Sequence, residues 1–317
     1  MKINWLDLFS GIGGFAQGLK KSGFIIDKHY TSEIDKHAKA IYRHRFPESQ
    51  QLGDVRHIRG SELERIDAIT FGSPCQDFSL AGKRKGMDGE RSSLITEAIR
   101  LIDECRPKFF IWENVKGTFS SNSGADFWAI IKAFADIGGY RLEWQLLNTA
   151  WFLPQNRERI YLVGIIGNGS GREVFPIKEN DKRIDEKRKH FQSEIRADKD
   201  RANCITSSLH KIVQKEETKG NSQGYNVYEI TGISQTLSSS TGGHGRTTGL
   251  YEVGTRIRRL TPVECERLQG FSDGWTEKGN YDGEVKQVSD TQRYKCLGNA
   301  VTVDVVQAVG ERILQAL

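Results

Sequence analysis

Residues 2–21, KINWLDLFSGIGGFAQGLKK, decide the fold. A β-rich run over 3–9 leads into the loop Asp7-Leu8-Phe9-Ser10-Gly11-Ile12-Gly13-Gly14-Phe15, which opens a helical stretch over 14–21. Glycines at such a turn let the chain bend sharply and let a ligand approach the backbone. Gly11-Ile12-Gly13-Gly14-Phe15-Ala16 fits the G-x-G-x-x-A pattern of dinucleotide sites. Glu33 follows at about the distance expected of a ribose-binding carboxylate. From this loop alone an adenosyl cofactor, a dinucleotide and a purely structural turn all stand. Gly53-Asp54-Val55 comes after the next helical stretch, where Asp54 is suited either to an adenine amino group or to capping a turn.

Outward from the loop, strand-like runs at 3–9, 24–30, 67–72, 108–112, 141–147 and 160–166 alternate with helical patterns at 14–21, 33–46, 92–105 and 125–137. In the 92–105 segment Leu94, Ile95, Ala98, Ile99 and Ile102 recur at helical spacing. This alternation predicts an α/β fold, a mostly parallel Rossmann-like sheet with helices on both faces. Tyr161, Val163 and Ile165 alternate close behind the preceding strand, which allows an antiparallel pair at that edge.

The texture changes after Gly167. Residues 168–172 have a linker composition, 178–201 interleave acids and bases, and 203–251 are rich in Ser, Thr, Gly and Asn. Short strands and tight loops are expected there, in a small irregular β-rich unit. Thr261-Pro262-Val263-Glu264 reads as N-cap, first-turn proline and capping-box acid, with Gly270 as a helix stop. A last helix is expected over 301–314. The expected division is therefore a first domain of residues 1–171 completed by 290–317, with a second of 172–289 carrying a charged linker at 178–201.

Hydrophobic residues make up 37% of the 317-residue chain and charged residues 27%, as in ordinary soluble proteins. No apolar run is long enough to span a membrane, and the first residues lack a signal-peptide core, so a cytoplasmic protein is expected. The net charge of +5 permits a polyanionic partner without requiring one. Five cysteines with no CxxC pair argue against a disulfide framework or a zinc knuckle, and no metal site is expected.

Phe71-Gly72-Ser73-Pro74-Cys75-Gln76 ends one strand-like run and enters a basic loop containing Lys83, Arg84 and Lys85. Ligands in open α/β sheets bind beyond the carboxyl ends of strands, and nearby positive charge favours a thiolate. A lone cysteine also serves packing, and on its own Cys75 fits both roles.

The segments DLFSGIGGF, GDV, GSPCQDFSLAGKRKG, ENV (113–115), QNRER (155–159), RRLTPVECERLQGF and LGNAV (297–301) occur in this order. Each is weak alone, but the ordered set resembles the C5-cytosine-specific DNA methyltransferases over the chain except roughly residues 172–222. The resemblance implies a Rossmann-like methyltransferase fold with a target-recognition domain and S-adenosyl-L-methionine as cofactor, S-adenosyl-L-homocysteine being the product. It implies Cys75 as nucleophile at cytosine C6, Glu113 as the group at N3, and Arg157 and Arg159 at the cytosine O2 and the active-site loop, with Arg159 the closer. Edge-strand salt bridges are the alternative for Arg157. The same carry-over gives Asp7, Phe9, Gly11, Gly13, Gly14, Glu33, Ile34, Asp54, Val55, Gly72, Pro74, Leu94, Asn299 and Val301 to the cofactor pocket. Ile34 stands where relatives often carry a larger aromatic.

A stacked base is out of reach of such chemistry, so double-stranded DNA would have to give up its cytosine by base flipping. Residues 219–260 resemble the recognition region of a family member that methylates GCGC. On that likeness Gln223 fills the vacated space, while Asn226 stands where guanine is read by arginine. Asparagine pairs more naturally with adenine, so a different target is expected. His244 and Arg246, in a glycine-rich loop, are candidates for bases or phosphates. Gln76, Ser79, Lys83, Arg84 and Arg91 are further DNA-contact candidates. The expected agent is a monomer, in restriction-modification alongside a separately acting endonuclease or in orphan or phage modification. An RNA-cytosine enzyme and a non-catalytic regulator are the rivals within the fold. A dehydrogenase leaves the Pro-Cys-Gln and QNRER segments unexplained.

Overall fold

In a computed structural model of the chain, residues 1–73, 94–167, 171–179, 227–229, 234–239, 248, 250–253 and 256–317 are described. Apolar runs buried on both faces place the central strands. β1 (Lys2–Leu8), β4 (Ala68–Gly72) and β5 (Phe109–Val115) read as nearly continuous buried segments, as strands do when helices cover both sides of a parallel sheet.

Between them run α1 (Gly14–Ser22), β2 (Ile25–Ser32), α2 (Lys36–Arg45) and the two-residue β3 (Gln50–Gln51). α3 (Leu94–Cys105) precedes β5; α4 (Ala125–Asp136), β6 (Tyr140–Asn148) and β7 (Glu158–Ile166) follow it. The strand order is β3-β2-β1-β4-β5-β7-β6. All pairs are parallel except those of β7, which lies antiparallel between β5 and β6. The expected α/β class and the antiparallel pairing are both present, although the outermost strand is β6.

Period-two alternation divides the core between the two faces. Trp5, Phe109, Ile111, Tyr161 and Val163 face α1 and the C-terminal helices. Leu6, Leu8, Phe110, Trp112 and Leu162 face α3 and α4.

A small sheet of β8 (Val227–Glu229), β9 (Leu250–Val253) and β10 (Arg256–Arg258) follows. Then come α5 (Pro262–Leu268), the hairpin β11 (Lys278–Tyr281) and β12 (Glu284–Gln287), α6 (Asp290–Asn299) and α7 (Val303–Ala316). α5 carries the expected capping box.

Several boundaries move for identifiable reasons. α2 begins at Lys36, not at 33, because the Asp35 carboxylate caps it through the amides of His37 and Ala38. α7 begins at Val303 because Thr302 is its extended N-cap residue. α6 and the β11–β12 hairpin were not foreseen. Val174, Phe175 and Ile177, and the 260–288 residues Leu260, Leu268, Phe271, Trp275 and Val288, share the core of the large sheet. Composition alone places both segments in the second domain. Among the described residues no helix is long and apolar enough to cross a membrane.

Candidate active site

The carboxyl ends of β1, β4 and β5 lie side by side and carry the first candidate residues. After β1 the chain turns through Phe9 and Gly11, at φ +51° and +55°, and enters α1 from Gly13 at φ +90°. The turn is tied down by the Ser10 amide on the Ser32 carbonyl (3.1 Å) and the Gly13 amide on the Ser10 carbonyl (3.1 Å). Glu33 closes the loop from the end of β2. One of its oxygens accepts the Gly11 amide at 3.0 Å, and the other accepts those of Ile34 and Asp35 at 2.8 Å. Ile34 is left 70% exposed beside it.

Gly14 is required by close approach. A Cβ there would lie 2.5 Å from Val301 Cγ2 and 2.7 Å from the Val301 carbonyl oxygen. Val301 therefore packs against the loop from the α6–α7 connection, while Asn299 is exposed two residues earlier. Leu94 is half-buried at the start of α3.

Besides Glu33, the other two acids of the expected cofactor set are also engaged within the protein. The Asp54 side chain caps the turn Val55–His57 and pairs with Arg56 at 2.5 Å, which holds its carboxyl below the usual range. The capping role open from sequence is thus the one its contacts display. Asp7 is fully buried, and its oxygens accept the hydroxyls of Thr70 (2.7 Å) and Tyr42 (3.0 Å). Burial drives its pKa well above the ordinary value, against those two bonds.

An adenosyl cofactor fits this loop on observations of its own. The Ser10 hydroxyl is buried without a partner among the described residues. No atom lies within 4 Å of where a Gly11 Cβ would stand. The cradle is open and offers an unsatisfied polar group.

Across the sheet, Glu113 on β5 pairs in register with Gly72 on β4 and with Tyr161 on β7. Glu113 is buried, and its Oε1 lies 3.1 Å from Arg159 Nε. Burial raises its pKa, opposed by the charges of Arg159 and Arg157. A Cβ on Gly72 would come within 3.0 Å of Glu113 Oε2, so glycine leaves that oxygen its space.

Arg157 diverges from Arg159. It precedes β7, where strand alternation does not yet apply, and its guanidinium donates to the carbonyls of Leu237 (3.4 Å), Gly298 (3.3 Å) and Ala300 (2.8 Å). Its charge still reaches Glu113.

The candidates Pro74, Cys75, Gln76, Ser79, Lys83, Arg84, Arg91, Gln223, Asn226, His244 and Arg246 lie outside the described residues. The approach to Cys75 is described as far as Ser73. Its hydroxyl accepts from Trp112 Nε1 and Asn114 Nδ2, both at 3.1 Å. Asn114 Oδ1 in turn accepts the Val115 amide at 2.7 Å and the Thr118 hydroxyl at 3.2 Å. Sequence reasoning passed over Asn114 although it sits inside ENV. It passed over Gln155 inside QNRER in the same way; buried Gln155 donates to the Leu268 carbonyl at 3.3 Å. It passed over Ser73 inside GSPCQ too, whereas Thr70 and Tyr42 carry no motif that could have marked them.

A profile of the C-5 cytosine-specific DNA methylase family matches residues 3–315. The chain is 32% identical to the type II methyltransferase M.HpaII of Haemophilus parainfluenzae, over 100% of this chain and 90% of that one. It is 30% identical to the type II methyltransferase M.HhaI of Haemophilus parahaemolyticus, over 99% and 95%. In fold it resembles the S. pombe Dnmt2 methyltransferase, with a TM-score of 0.70 at 17% identity over 98% of both chains. A putative DNA modification methyltransferase from a prophage in E. coli gives 0.63 at 21% identity, over 99% of both. The glycine loop, the buried acid–arginine pair and these matches together assign the chain to the C-5 cytosine-specific DNA methylase family, the DNA (cytosine-5)-methyltransferases.

Proposed function

We propose that this enzyme flips a cytosine out of duplex DNA, adds the Cys75 thiolate to C6 and methylates C5. The observation that supports this reading best is the Glu113–Arg159 pair, buried one strand from the Gly72–Ser73 exit that leads to Cys75.

Cytosine C5 is a weak nucleophile until a group adds at C6. Cys75 forms that bond, and the ring's electrons move toward N3. Glu113, with its raised pKa, donates a hydrogen bond or a proton at N3 as the charge develops. Arg159 fixes the Glu113 carboxyl and offers its remaining donors to O2. S-adenosylmethionine, when bound, supplies the electrophilic methyl group that C5 takes. Loss of the C5 proton to a base then expels the Cys75 thiolate and restores the ring.

The residues that would hold the cofactor are Phe9 and Gly11 in the loop, Glu33 at the ribose, Ile34 and Val55 at the adenine, and Val301 behind the loop. Ser10 adds a hydroxyl to that set. Asp7 would support the loop from below through its bonds to Thr70 and Tyr42. DNA recognition falls to the segment between 178 and 259, with Gln223, Asn226, His244 and Arg246 as its reading residues. The core shared by 174–177 and 260–288 with the large sheet motivates these narrower bounds. M.HpaII and M.HhaI are matched at nearly equal identity, so similarity singles out no one target sequence. The type II relatives favour a restriction-modification setting.

Bisulfite sequencing of DNA treated with the purified protein tests the activity and reads out the target. On duplexes carrying 5-fluorocytosine at that target, a covalent protein–DNA adduct should accumulate, because fluorine cannot leave as a proton does. Cys75→Ala should abolish methylation and adduct while keeping specific DNA binding. Full activity in that variant overturns the mechanism.

A further inference from the structure

The turn preceding β7 is a junction of three separate stretches of chain. Ser234 crosses it: its amide donates to the Pro154 carbonyl (2.9 Å), and its carbonyl accepts the Asn156 amide (2.8 Å). The Thr236 hydroxyl donates to the Asn156 carbonyl. Ser234 and Leu237 are buried there, so the described piece 234–239 is docked on the catalytic sheet. It also crosses the end of α6. A Cβ on Gly298 would lie 2.4 Å from the Ser238 carbonyl carbon and the Ser239 nitrogen.

Arg157 closes this junction. Its fork donates to Leu237 on one side and to Gly298 and Ala300 on the other. It is buried and carries a permanent charge, so these carbonyls replace the water it has lost. Next to Ala300 stands Val301, whose side chain meets Gly14 in the glycine loop. Val301 Cγ1 also lies 3.9 Å from where a Gly72 Cβ would stand. Gln269 braces the same connection, donating to the Leu297 carbonyl (3.0 Å) and accepting the Thr302 hydroxyl (2.9 Å).

We infer that Arg157 is a positioning residue that couples the 234–239 segment to the cofactor pocket through the Gly298–Val301 turn. The inference rests on the proposed DNA-methylating function. Where DNA engages the recognition segment, Arg157 transmits that contact to Val301 and so to the glycine loop. Linkage then requires that cofactor binding tighten DNA binding by the same factor.

The test measures S-adenosylhomocysteine affinity by calorimetry, with and without a duplex containing the cytosine that the wild-type enzyme methylates. Wild type should bind about fivefold or more tighter with the duplex. Arg157→Lys keeps the cation near Glu113 but loses the fork, and its gain should shrink to within about twofold. Its alkaline limb in kcat should stay in place, which separates this role from general damage to the site. Thr236→Val loosens the segment from its far end and should shrink the gain likewise, without touching the pocket. An undiminished gain in folded Arg157→Lys overturns the inference, as does its absence from an active wild type. If Arg157→Lys does not fold, Thr236→Val decides alone, and an undiminished gain there is the overturning result. Failure of the function itself shows differently, as a wild type that methylates no cytosine.

Discussion

Asp7 and Glu113 are two buried acids near the carboxyl ends of β1 and β5, flanking β4. Burial raises the pKa of both. Their surroundings differ. Asp7 faces Thr70 across the strand register and Tyr42 from α2, and both hydroxyls point at its oxygens. The network runs on to His29 Nε2, 2.7 Å from the Tyr42 hydroxyl, and to Trp5 Nε1, which donates to Thr70 at 3.0 Å. Glu113 instead meets one arginine and the missing side chain of Gly72. The Asp7 oxygens are filled by the fold itself, whereas Glu113 Oε2 is left room beside Gly72.

The largest expected contrast is kinetic. Glu113→Gln should lower turnover by about 10²–10⁴-fold, as loss of a general acid does. The acid form of Glu113 persists above the ordinary carboxylate range, so wild-type kcat should fall as pH rises through that raised pKa. The glutamine variant should lose this alkaline decline. Acid stability probes the network around Asp7 next, through His29. Burial lowers the His29 pKa to about 4, so its neutral form stabilises the protein fully above pH ~6.5. That contribution, roughly 3 kcal/mol, is lost as pH falls from ~6.5 toward ~4. Denaturant melts of His29→Gln should show a shallower acid loss.

Asp7→Asn should cost about 1–3 kcal/mol in the same melts, with turnover per folded molecule within about tenfold of wild type. A loss as large as that of Glu113→Gln would erase the distinction and make Asp7 a member of the site. Thr118→Val replaces the hydroxyl that donates to Asn114 by a methyl group and should have the smallest effect, about 1 kcal/mol of stability.

What the sequence disclosed follows from the same physics. Strands buried on both faces announce themselves as apolar runs, and a glycine loop between strand and helix needs no tertiary information. α6 stayed hidden because it buries Arg293, Cys296, Leu297 and Gly298, with no apolar stripe. The hairpin of β11 and β12 did carry a signal, the Asp282-Gly283 turn with both residues at positive φ, which went unread. The Glu113–Arg159 pair was legible as two motifs but not as a contact. It requires β7 to enter the sheet beside β5, ahead of β6 in space though after it in the chain. Arg157 shows the opposite failure. Standing two residues before Arg159, it would share that residue's face inside a strand, but alternation holds only once the strand has begun.

The Val301–Gly14 contact also bears on how the enzyme comes into being. Trp275 Nε1 reaches the Ile12 carbonyl at 2.9 Å, and Gly18 of α1 leaves room for Val306 of α7. A loop made among the first residues is therefore walled by some of the last. A growing chain can emerge from the ribosome with its glycine loop translated but has no finished pocket until residue 301 and the following helix arrive. A fragment that ends before Val301 lacks the wall that Val301 and Val306 give to the glycine loop and its helix.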